Sequence, residues 1–102
     1  MKHIVFGFFL IFAAFSLLAA EANCGGTVTV VMADYGCQGN MAFKTTNSGS
    51  AWMCTKSKEA GSVLLTAFST GKAVSAYIEI SDVGQCANLP NYRNINYIII
   101  QP

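Results

Sequence analysis

The sequence predicts a mainly β domain with one helix, an α+β chain in the order β-β-β-α-β-β, preceded by a segment that is removed on export. Three observations carry this. Apolar residues alternate with period two in short stretches bounded by Gly and Asn. The period changes once, between Ala60 and Phe68, to that of a helix. The N-terminus has the layout of a secretory signal.

Lys2 and His3 precede an apolar run of 15 residues, Ile4 to Leu18, broken only by Gly7 and Ser16. A membrane-spanning helix takes about 20 predominantly apolar residues, so this shorter run, which ends in small residues, reads as a signal peptide. Ala20-Glu21-Ala22 satisfies an A-x-A cleavage pattern, and a cut after Ala20 is the near alternative. Lipid attachment at Cys24 would need an apolar residue three places earlier and a small one just before it, where Glu21 and Asn23 stand. The expected organisation is a signal peptide over 1–22 and one domain over 23–102, which is 102 − 22 = 80 residues. A chain of that size buries only about 60–65% of its unfolded surface, so cross-links or self-association usually supplement its core.

Thr27 to Ala33 alternates Val28, Val30 and Met32 against Thr27, Thr29 and Val31, the period of a strand with one buried face. Gly36, Gly39 and Asn40 mark a turn, Met41 to Thr46 is a second strand, and Asn47-Ser48-Gly49-Ser50 is a polar break. Ala51 to Thr55 forms a third strand with Trp52 and Cys54 on one side. Ala60, Val63, Leu64, Ala67 and Phe68 then fall on one face of a helix. Thr55 or Ser57 is placed to cap its start, and Gly71 to end it in the left-handed conformation. Gly61 inside it costs about 1 kcal/mol relative to Ala. Ala73 to Ile80 turns Val74, Ala76, Ile78 and Ile80 to one face. Ser81 to Arg93 is a loop, and Asn94 to Gln101 is a closing strand, apolar on both faces, that reads as central or as meeting another subunit. This order fits a small five-stranded barrel of the oligonucleotide/oligosaccharide-binding (OB) type, with an open α+β sandwich as the alternative.

Cys24, Cys37, Cys54 and Cys86 all lie after the cleavage pattern. An even number in a small exported domain implies disulfides, and four cysteines allow three pairings between which the sequence does not choose. No close C-x2-4-C pair is present to favour zinc, and no C-x-x-C to favour redox catalysis.

Beyond residue 22, Lys44, Lys56, Lys58, Lys72 and Arg93 face Asp34, Glu59, Glu79 and Asp82, a net charge of 5 − 4 = +1. No basic stripe exists to hold a phosphate backbone, so nucleic acid is not an expected partner. The only histidine is His3, inside the expected signal. A Ser-His-Asp triad, a Cys-His pair and a His-ligated metal each need an imidazole, so none is available after cleavage. The four acids are scattered over strand ends and the helix start, a poor basis for the paired carboxylates of glycoside hydrolysis. The domain is therefore read as non-enzymatic, with no cofactor and no metal.

Binding suits the remaining features better. Tyr35, Trp52 and Tyr92 lie in or beside turns, amid amides that include Asn88 and Asn91. Flat rings that stack on a sugar, with amides that hydrogen-bond to it, are the equipment of glycan recognition. These five residues are the candidate binding set. Trp52 also reads as core, since Trp is highly buried on average.

Cys54-Thr55-Lys56-Ser57, the stretch Leu64 to Tyr77 with its Thr70-Gly71-Lys72-Ala73-Val74 turn, the later Cys86 and the closing Ile95 to Ile100 carry a resemblance. This second half of the chain resembles the B subunits of subtilase-cytotoxin-type toxins and a wider group of small exported bacterial proteins. The toxin subunits form ring pentamers, bind sialylated glycans and carry a catalytic partner. Their glycan site uses a serine just before the first strand, a place taken here by Gly25, so no binding residue is carried over. The expectation is an exported, secreted or periplasmic binding module for a glycan or cell-surface partner, able to form a homo-oligomer through Asn94 to Gln101, with no membrane association after cleavage. The alternative is a structural or inhibitory envelope protein that binds another protein through an open sheet edge.

Overall fold

The computed structural model describes residues 20–101, so most of the expected signal peptide lies outside the described residues. In chain order the elements are β1 (Glu21–Asn23), β2 (Val28–Met32), β3 (Ala42–Thr45), β4 (Met53–Cys54), α1 (Lys58–Thr70), β5 (Val74–Glu79), β6 (Arg93–Asn94) and β7 (Tyr97–Ile100). A single 3-10 turn, Cys86–Asn88, interrupts the loop before β6. The α+β class is observed. The strands form two sheets, β1-β5-β7 and β2-β3-β4-β6, in which only the β4–β6 pair is parallel.

The five-stranded barrel is thus replaced by seven strands in two sheets, without a closed barrel. Two bends produce the extra strands. Between β1 and β2 the chain turns at Gly25-Gly26, so β1 pairs with β5 while β2 pairs with β3. The expected closing strand likewise breaks at Ile95-Asn96 into β6, beside β4, and β7, beside β5. Strand β7 is an edge strand, not a central one: Ile98 and Ile100 pack against the core while Tyr97 and Ile99 face outward.

The expected inward face of the first strand is also altered. A register shift between Val28 and Val30 puts Val28 in the core and Val30 at the surface, and turns Val31 inward in its place. Such a bulge adds one residue to one strand and so exchanges its faces beyond that point.

Helix α1 begins where the sequence places its cap. Ser57 is extended, its hydroxyl accepts from the Ala60 N–H at 3.1 Å, and Glu59 in the first turn suits the positive end of the helix dipole. Gly71, at φ 72°, ends the helix in the left-handed conformation, its N–H donating to the Ala67 carbonyl. Leu64 and Ala67 are buried, whereas Phe68, expected on the core face, is 45% exposed beside exposed Leu65.

The core joins Phe43 and Met53 of the larger sheet, Ile78 of the smaller one, Leu64 of α1 and Ile95 at the second bend, all fully buried. Buried polar groups are paired: the Thr45 hydroxyl donates across to the Cys24 carbonyl at 2.6 Å, and within the local turn the Thr45 N–H donates to the Ser48 hydroxyl at 2.9 Å. Among the described residues no buried side-chain nitrogen or oxygen lacks a partner.

Of the three pairings left open, the structure takes Cys24–Cys86 and Cys37–Cys54. The first joins residues 62 apart in sequence and the second residues 17 apart. Chain-entropy reasoning assigns them about 4 and about 3 kcal/mol of stabilisation. Replacing both cysteines of a bridge with Ser should therefore lower the unfolding free energy more for Cys24–Cys86 than for Cys37–Cys54, as read from urea denaturation.

The loop after β5 has a polar latch as well. Arg93 donates through both terminal nitrogens to Asp82, at 2.8 and 2.7 Å, and through Nη1 to the Glu79 carbonyl at 2.9 Å. The hydrogen bonds from Arg93 hold the Asp82 carboxyl below the usual carboxylate range. A depressed pKa stabilises the fold above the unfolded value and loses that contribution as pH falls through the folded value. The latch should accordingly be complete at neutral pH and release only below about pH 4. Asp82→Asn should remove this part of the acid limb of an unfolding-midpoint-against-pH curve.

Candidate functional site

The loop between β2 and β3, residues 33–41, carries the surface chemistry. Cys37–Cys54 anchors it to β4, and Cys37 and Cys54 form, with Ala42, a second small buried cluster onto which Met32, Trp52 and Tyr92 pack. Tyr35, on this loop, is 64% exposed and meets Tyr92 edge-to-face, with ring centroids 5.8 Å apart. Trp52 precedes β4 and is half-buried on this satellite cluster, outside the main core. The Lys44 ammonium lies 4.7 Å from its ring centroid, a cation–π contact.

Backbone bonds fix the arrangement. Tyr92 N–H donates to the Trp52 carbonyl at 2.7 Å, and Trp52 N–H donates to the Asn91 side-chain oxygen at 2.9 Å. Four of the five predicted binding residues, Tyr35, Trp52, Tyr92 and Asn91, are thereby brought together. Asn88 is not: it sits in the 3-10 turn and donates to the Val83 carbonyl at 3.2 Å.

Three non-glycine residues among the described ones have positive φ, Asp34 at 67°, Gln38 at 54° and Tyr92 at 68°. Asp34 and Gln38 belong to the loop and Tyr92 packs against it. Such conformations cost about 1–3 kcal/mol each for bulky residues and persist where the surroundings enforce them. The Tyr92 ring lies directly on Gly36, at φ 80°, where an added Cβ would overlap the ring carbons. A polar recess of about 80 Å³ opens beside it, lined by Gly36, Gln38, Tyr92 and Asn94.

Two further features were not singled out from the sequence. The first is a groove of about 300 Å³ between the loop and the start of α1, lined by Asp34, Asn40, Met41, Lys58, Gly61 and Leu65. Lys58 Nζ donates to the Gly39 carbonyl at 2.8 Å and ties its two walls together. Gly61 was the available signal. Its Cβ would meet Met41 Cγ at 3.5 Å and Thr55 Oγ1 at 4.0 Å, both ordinary contacts, so sterics do not demand glycine there, and its bare backbone keeps the floor of the groove open. The second is a stack of Tyr77 and Tyr97, with centroids 5.0 Å apart and planes at 25°. The Glu21 carboxylate caps it, accepting from Asn96 Nδ2 at 2.5 Å and from the Tyr97 hydroxyl at 3.4 Å. Desolvation first, then the Glu21 charge, pushes the Tyr97 phenol above its ordinary pKa. Alternation in sequence cannot foresee this stack, because its members come from three strands or their ends.

Gly25 is buried against β5, and an added Cβ would overlap the Val74 carbonyl oxygen, so no side chain fits in this backbone arrangement. Among the described residues no group of three or more His, Cys, Asp or Glu side chains could hold a metal ion. No described helix is long and apolar enough to cross a membrane. No protein-family model and no curated protein sequence matches the chain.

The two glycines give opposite predictions. Gly36→Ala should displace Tyr92, cost about 2 kcal/mol and weaken the near-ultraviolet circular dichroism of the aromatic cluster. Gly61→Ala should stabilise α1 by about 1 kcal/mol while leaving that spectrum unchanged.

Proposed function

We propose that this chain is an exported, non-catalytic binding module that presents the Tyr35–Tyr92–Trp52 face to a glycan on a cell surface, in the manner of a toxin B subunit. The observation that carries the reading is the exposed Tyr35 ring held edge-to-face on Tyr92, beside a polar recess, by a disulfide-anchored loop. An aromatic face kept out of the core supplies stacking area at low entropic cost, and Gln38, Asn91 and Asn94 supply amides around it.

The connectivity supports a scaffold of the OB type. The first and last segments, Glu21–Met32 and Arg93–Ile100, each contribute a strand to both sheets, and α1 lies between the third and fourth segments. The two disulfides fit an oxidising compartment, which supports the secreted or periplasmic reading. The nearly balanced charge supports a ligand other than nucleic acid.

A second reading is favoured by β7. Among the described residues its outer edge has no pairing strand, and Tyr97 and Ile99 are 46% and 47% exposed on its outward face. Such an edge suits strand addition by a protein partner or a homo-oligomer of this chain. A structural or inhibitory envelope role would use this edge in place of the aromatic face.

Glycan-array binding separates the two. Tyr35→Ala should weaken the strongest array signal by roughly threefold to tenfold, the loss of one stacked ring, with the unfolding midpoint unchanged. An array without signal, together with a complex that forms through β7, would transfer the function to the sheet edge.

A further inference from the structure

The reading above takes the chain to be exported, and the sequence offers two places for the cut that export requires. Ala20 and Ala22 each provide the small residue that cleavage needs directly before the cut; at the third place before it Ala22 has Ala20, and Ala20 has the larger Leu18. The fold distinguishes them. Glu21 and Ala22 are in register with Glu79 and Ile78, as residues of β1 on the outer edge of β5. Ladder bonds recur at alternate residues along this edge: Ile80 N–H to the Ala20 carbonyl at 2.9 Å, Cys24 N–H to Ala76 at 2.8 Å and Gly26 N–H to Val74 at 2.8 Å. Ala22 falls on the same alternation, opposite Ile78, and its side chain packs against the core. Glu21 contributes through its side chain as well, capping the Tyr77–Tyr97 stack and holding Asn96.

A cut after Ala22 would strip both residues from the sheet. Strand β5 would then expose its edge from Ile78 onward, and the Asn96 amide would lose its carboxylate. A cut after Ala20 sacrifices one ladder bond, that of Ile80, and places the new α-ammonium in register with Glu79, a charge of opposite sign.

We propose that the chain is processed between Ala20 and Glu21. A signal peptidase hydrolyses that peptide bond, water supplying a hydroxyl to the Ala20 carbonyl carbon and a proton to the Glu21 nitrogen. The mature domain begins with Glu21 and has no net side-chain charge, since Glu21 balances the excess of +1 carried by the residues after Ala22. This inference rests on the export reading and fails separately from it.

The test is intact-mass measurement and N-terminal sequencing of the oxidised protein exported by a bacterial host that carries the full chain, Met1 to Pro102. A start at Glu21 is the expected result. A start at Asn23 overturns the proposal and leaves export standing, whereas recovery of the uncleaved chain alone overturns both. Ala22→Leu provides a second check, because a bulky residue directly before the cut blocks processing, and processing is read from the N-terminus whether or not the packing of residue 22 changes. The variant should be processed at the wild-type position if the cut follows Ala20; loss of processing would move the cut to Ala22 and overturn the proposal.

Discussion

The close passage of the chain over β5 at Cys24-Gly25-Gly26 is the constraint on which the rest of the structure depends. Gly25 brings the backbone so near the Val74 carbonyl that no side chain fits between them. On one side Asn23 fastens the crossing, its side-chain oxygen accepting from the Gly25 and Ala76 N–H groups at 2.9 and 3.0 Å. On the other, Gly26 exchanges both backbone hydrogen bonds with Val74. Because the crossing is short and fixed, a single segment can leave the small sheet as β1 and enter the large one as β2. The core between the sheets closes around that passage, and the Cys24 bridge ties the long loop bearing Cys86 to the same point.

The same crossing explains how much of the fold was legible in the sequence. Period-two alternation located β3 and β5 within a residue or two at either end, and the capping residues Ser57 and Gly71 bounded α1, because those signals are local. The division into two sheets was not legible. It depends on contacts between residues more than 50 apart, such as Asn23 with Ala76, and the Gly25-Gly26 pair reads locally as an ordinary break before a strand. Phe68 was misplaced for a related reason: helical periodicity gives a face but not its width, and the packing of α1 stops at Leu64 and Ala67.

The candidate site divides in the same way. The turn-borne aromatics Tyr35, Trp52 and Tyr92 lie together in the fold, since a ring in a polar loop has few other places to pack. Asn91 joined them because its side chain caps the Trp52 N–H, while Asn88 used its amide to hold its own loop. What the sequence could not supply was the choice of disulfides. With Cys37 joined to Cys54 the loop is anchored to β4, and its Tyr35 meets Tyr92.

That dependence couples the site to the redox state more tightly than it couples the fold. Most of the main core, from Phe43 and Met53 to Ile78 and Ile95, is apolar packing that does not involve Cys37. The satellite cluster under Tyr92 and Trp52 has Cys37, Cys54 and Ala42 as its buried members, two of which are the cysteines of the bridge. Loss of the Cys37–Cys54 bridge alone leaves the packing of Phe43, Met53, Ile78 and Ile95 in place and removes the covalent tie beneath the aromatic face. Oxidation of the second bridge is then the step that ties the loop carrying Tyr35 to β4, and it needs a compartment where disulfides persist.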